Sequence, residues 1–155
     1  MKSLLLLSAV FVLGTTAANA DTFTFSGKNT PGSQISAPGP MGKPVFAGNS
    51  RFENELVRSN GTKMKSTGDC IAWSAAPASG FTVQGICSGT DADGTKTSVI
   101  FSCIATGTNG GDSNCWGGLT TTAGKTKGQT GTASWHTHEN ADGKGSTTVG
   151  AGTMN

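Results

Sequence analysis

Polar and apolar residues alternate with a period of two along most of this chain. In residues 21–26, Phe23 and Phe25 share one face and Thr22 and Thr24 the other, as in a strand covered on one side only. Similar short segments recur near residues 52–58, 63–74, 80–88, 97–106, 113–120, 129–137 and 146–153. Between several of them lie turn words: Asn60-Gly61, Asp91-Ala92-Asp93-Gly94 and Asn140-Ala141-Asp142-Gly143. Asn60-Gly61 predicts a two-residue type I′ hairpin. From Cys115 to Trp135, glycines at 117, 118, 124, 128 and 131 mark tight bends between two more strands. About eight hairpin-linked strands predict an all-β fold, an antiparallel up-and-down β-barrel first and a sandwich second.

Two stretches depart from this pattern. Residues 27–44 hold four of the five prolines with many Gly and Ser, and predict a long irregular loop or arm. Residues 98–105 are apolar in both phases, with Val99, Phe101 and Cys103 against Ile100 and Ile104. That predicts a strand buried on both faces, beneath the arm.

Composition supports strands. There are 24 Gly, charged residues make up 13% of the chain, and Leu is nearly absent after the first twenty residues. Those twenty read as a secretory leader: Lys2, an apolar run from Leu4 to Leu13, then Ala18-Asn19-Ala20 as a small-x-small cleavage site. The run is too short to span a bilayer, so no membrane span is expected, and residues 21–155 form a single domain. Removing Lys2 with the leader takes the formal charge from +2 to +1. So small a charge gives no electrostatic case for nucleic acid.

All four cysteines, Cys70, Cys87, Cys103 and Cys115, follow the leader. Export and an even count predict disulfides, and the lack of a C-x-x-C pair argues against zinc. Three pairings are possible. Hairpins turning near Pro77 and near Asn109-Gly110-Gly111 favour Cys70 with Cys87 and Cys103 with Cys115.

Groups able to do chemistry are sparse. His136 and His138 share a strand face and could offer two nitrogens to a metal, with Asp142 across the turn. Two exposed histidines at a strand end is the preferred reading, and no metal or cofactor is expected. Asp91, Asp93 and Thr95 are spaced like the start of a calcium loop, but no acidic residue closes it. Glu53 and Glu55 lie on one strand face, read as solvated. Asn60-Gly61-Thr62 is a glycosylation sequon that the turn explains. No Gly-x-Ser-x-Gly and no phosphate-binding glycine loop occur. Trp73, Trp116 and Trp135 are the candidate ligand-binding residues, because aromatics lining a barrel mouth suit a small apolar ligand.

Trp116-Gly117-Gly118, Gly124-Lys125, Gly128-Gln129-Thr130-Gly131 and Trp135 resemble the C-terminal signature of small secreted barrels related to allene oxide cyclase. Asp91-Ala92-Asp93-Gly94-Thr95-Lys96 resembles the hairpin that often precedes it. The resemblance covers roughly residues 85–137. Thr122-Ala123 and Thr126 depart from it. It implies a barrel of about eight antiparallel strands, and it carries over no catalytic residue. The expectation is an exported or periplasmic barrel, a non-catalytic binder of a small apolar ligand or an envelope or interaction protein. The alternative is a lyase or isomerase that steers a cyclisation in an apolar lumen. A buried, perturbed carboxylate in the lumen would favour the alternative. Sequence leaves the oligomeric state open.

Overall fold

The computed structural model describes residues 20–77, 79–106 and 111–155. The expected leader, apart from Ala20, and residues 107–110 of the expected turn lie outside the described residues. Eight strands follow one another: β1 (Asp21–Pro38), β2 (Pro44–Arg58), β3 (Lys63–Ser74), β4 (Val83–Asp91), β5 (Lys96–Ala105), β6 (Asp112–Ala123), β7 (Thr130–Glu139) and β8 (Ser146–Met154). Each pairs antiparallel with the next, and β1 closes on β8 to complete a barrel.

Closure gives every residue one of two fates. Alternate side chains enter the lumen or face outward, and a single cysteine fixes the phase of its whole strand. Cys70 of β3 lies opposite Cys87 of β4, and Cys103 of β5 opposite Cys115 of β6, with Cα atoms 4.0 and 4.1 Å apart. Both pairs form the expected disulfides. They point inward, and Cys70, Cys103 and Cys115 are buried. Each bridge closes a short loop, worth about 3 kcal/mol in the chain-entropy account.

Three local expectations are corrected. Residues 27–44 are mostly strand rather than irregular loop. β1 loses β8 beyond Asn29↔Ser146 and has one free edge from there, and β2 meets β3 only from Ala47↔Trp73, so past Ile35↔Ala47 the two strands project alone as a two-stranded ribbon. The prolines fit there because Pro31 borders a register shift and Pro38 ends its strand, where a missing N–H breaks no regular ladder. Asn60-Gly61 does turn a hairpin, but through a three-residue loop. Gly61 N donates to Arg58 O, Arg58 N to Thr62 O, and Gly61 takes φ +81°. That is a type I turn closed by a left-handed glycine, a geometry the same dipeptide satisfies as readily. Finally, β5 is covered on one face only. Phe101 and Cys103 point inward, while Ile100 and Ile104 are exposed, because the ribbon continues β1 and β2 away from β5.

Candidate binding lumen

The inward residues enclose a cavity of about 560 Å³. Its middle is apolar. The Trp135 ring stands edge-on to Phe25 (6.4 Å between centroids) and to Phe101 (5.7 Å), and Phe25 lies 6.1 Å from Phe23. Both disulfides, Val99, Leu119 and Ala133 complete this zone. The rings fit because small residues lie beneath them. A Cβ on Gly150 would stand 2.6 Å from Phe25 Cζ, from Trp135 Cβ and from the Ser134 carbonyl oxygen. The lumen is therefore narrowed by aromatic side chains but not filled, as suits an eight-stranded barrel holding one small ligand.

Both rims are polar. At the rim carrying the β2–β3, β4–β5 and β6–β7 turns, Arg58 Nη1 donates to Asp21 Oδ2 at 2.8 Å, and Ser59 Oγ donates to Asp21 Oδ1 at 3.1 Å. Asp91 lies opposite Ser66 at this rim. Burial raises the Asp91 carboxyl above the ordinary carboxylate range. The Ser66 hydrogen bond opposes the shift, the nearby Asp93 charge adds to it, and the Arg58 charge opposes it. Asp93 itself is exposed and shifts the other way, because its carboxylate accepts from the backbone N–H and the side chain of Thr95. Asp93 thus serves the turn that the calcium reading had considered.

At the opposite rim, Asn29 Nδ2 donates to Thr148 Oγ1 at 2.9 Å and Ser146 Oγ at 3.3 Å, and Thr148 Oγ1 lies 3.3 Å from Thr137 Oγ1. Among the described residues, no buried side-chain nitrogen or oxygen lacks a partner.

Of the three candidate tryptophans, only Trp135 lines the lumen. Trp73 and Trp116 stand on the outer wall. The structure does not bring the three together, since Trp116 follows Cys115 and Trp73 lies three residues past Cys70, and an odd offset from an inward cysteine points outward. The four cysteines do meet in pairs. His136 and His138 also face outward. His136 Nδ1 lies 2.9 Å from Asn114 Oδ1, and His138 Nδ1 pairs with Asp112 Oδ1 across the strand. Among the described residues, no group of three or more His, Cys, Asp or Glu is placed to hold a metal. Glu53 and Glu55 face solvent, paired with Lys28 at 3.3 Å and Lys63 at 3.8 Å. Phe23, Phe25, Phe101 and Asp91 were not singled out as one site in the sequence. Strand phase held that signal, since Asp91 lies four residues beyond Cys87 and Phe101 two before Cys103.

No helix among the described residues is long and apolar enough to cross a membrane. No protein-family model matches the chain, and comparison with curated proteins finds no match.

Proposed function

We propose that this chain is an exported β-barrel that holds one small apolar ligand in its lumen and does not transform it. The observation that carries this reading is the apolar middle of the lumen, where Trp135, Phe25 and Phe101 surround a cavity of a small ligand's size between two polar rims. The resemblance to barrels related to allene oxide cyclase agrees with it. Export rests on the leader pattern and on two disulfides of the kind that persist in oxidising compartments.

A second reading is kept because one observation favours it. Asp91 is a partly buried carboxyl facing the lumen, with its proton held more tightly than usual. Such a group can give or take a proton beside a bound substrate, as a lyase or isomerase requires. It has no positioned partner of complementary role, however, so the binding reading stands first.

A fluorescence titration separates the two. In a Trp73→Phe/Trp116→Phe variant, emission comes from Trp135 alone. Fatty acids and oxylipins should change that emission saturably and leave the protein unmodified, with the ligand recovered intact. No change with any apolar probe would remove the binding reading. Turnover of an epoxide-bearing oxylipin, abolished by Asp91→Asn, would replace it with the enzymatic one.

A further inference from the structure

The outer surface of the barrel is not uniform. On the wall formed by β3–β6, Ile71 lies opposite Ile86, and Ile86 opposite Ile100, so three isoleucines form one row across three adjacent strands. They are 56%, 41% and 68% exposed. Trp73 and Trp116, 40% and 47% exposed, stand one outward position away toward the ribbon-side rim, and Phe81 joins them from the β3–β4 connection. No outward charge lies within this cluster. Of the outward charges of these strands, Lys63, Lys65, Asp69 and Lys96 lie toward the other rim, and Asp112, paired with His138, stands at the ribbon-side edge two outward positions from Trp116.

The outward face of β7, β8, β1 and β2 is mostly Thr, Ser, His and charged residues such as Lys28, Arg51, Glu53 and Glu55, with Val57 and Val149 as isolated apolar positions and Ile35 on the ribbon beyond the barrel wall. The apolar surface is therefore a patch on one side and not a belt around the barrel. A barrel spanning a bilayer needs a closed apolar belt, and a lumen lined by aromatic rings is the inverse of the usual polar interior.

We infer that this patch is the contact face of a homodimer, packed sheet against sheet on the same patch of a second copy. Three observations select a second copy. First, the patch carries no charge, so two copies meet without repulsion, and nothing on it selects a charged partner. Second, the six residues expose roughly 600 Å² if each has ~200 Å² to offer. With Gln84 and Ser102, which lie in the row between the two tryptophans, this approaches the ~800 Å² per partner of a standard interface. Third, the three isoleucines form one row with Ile86 at its centre, so a two-fold axis near Ile86 sets the row of one copy along the row of the other, as an isologous contact requires. Twisted sheets then pack at about −30° with their branched side chains interleaved.

Sedimentation equilibrium of the exported, disulfide-bonded chain tests this. The wild type should sediment as a dimer at micromolar concentration. Ile100→Glu should weaken association at least 100-fold, and Val149→Glu, on the opposite wall, should leave it unchanged. Near-ultraviolet circular dichroism checks that each variant is folded, and Trp116→Ser takes the place of Ile100→Glu should that variant not fold. A wild type that stays monomeric to millimolar concentration would overturn the proposal. So would a dimer that folded Ile100→Glu or Trp116→Ser leaves intact. A monomer that binds vesicles of neutral phospholipid through Ile100 and Trp116 would overturn it in favour of a lipid surface.

Discussion

In the wall of β3–β6, two disulfides cross directly opposed strands, and isoleucine and tryptophan cover the outside. In the wall of β7, β8, β1 and β2 no disulfide joins the strands. Closure there rests on the β1–β8 ladder, on Phe23, Phe25 and Trp135 packed over Gly150 and Gly152, and on the Asn29–Thr148 and Asp21–Arg58 contacts at the rims. Trp135 links the two, touching Phe25 on one side and Phe101 on the other. Ring-over-glycine packing occurs in both walls, since Phe101 lies over Gly85 and Phe52 over Gly68 and Gly89 in the first. What sets the walls apart is that the one with the apolar outside is fastened covalently as well.

The largest effect should come from the covalent half. Cys103→Ser/Cys115→Ser should lower unfolding stability by about 2–4 kcal/mol, read from denaturant midpoints. A loss well below 1 kcal/mol would mean that the packed half carries the fold alone.

The packed half should respond to a smaller insertion. Gly150→Val places carbons against Phe25, Trp135 and the Ser134 carbonyl, and should cost about 1–3 kcal/mol by overpacking. Gly118→Val, where a Cβ meets nothing within 4 Å, should cost less. Equal losses would show that the rings do not need the glycine at 150.

The smallest effect concerns Asp91. Its folded-state carboxyl holds the proton more tightly than the unfolded chain does. Its contribution to stability is therefore full below the unfolded value and is lost as pH rises through the raised folded value. Asp91→Asn should flatten that fall and leave the protein more stable than wild type near neutrality, by less than about 1 kcal/mol because solvent still reaches the group. Thermal melts across the acid range would show it. A variant less stable than wild type at neutral pH would mean that the Ser66 hydrogen bond outweighs the burial.

Much of this architecture was legible in the sequence. The period-two pattern and turn words gave eight strands, and hairpin adjacency gave both disulfides. What was not legible depended on where strands lose their neighbours. Residues 27–44 looked irregular because proline usually breaks a ladder, yet a ribbon projecting beyond the barrel tolerates it. Ile100 and Ile104 looked buried because an apolar outward phase normally means a second layer, and here none of the described residues supplies one. The tryptophans were grouped by type, although counting residues from Cys70 and Cys115 would have separated Trp73 and Trp116 from Trp135. The Asp91 carboxyl looks like part of its turn, although counting four residues on from Cys87 places it on the lumen side.

The account rests on the lumen, and not the apolar outer wall, as the place where a small apolar molecule binds. Ligand affinity measured side by side in folded Ala133→Leu, which narrows the lumen, and Trp116→Ser, which depletes the outer wall, tests that directly. The account predicts at least a tenfold loss in Ala133→Leu and wild-type affinity in Trp116→Ser. The reverse order, with binding lost in Trp116→Ser and kept in Ala133→Leu, would contradict it.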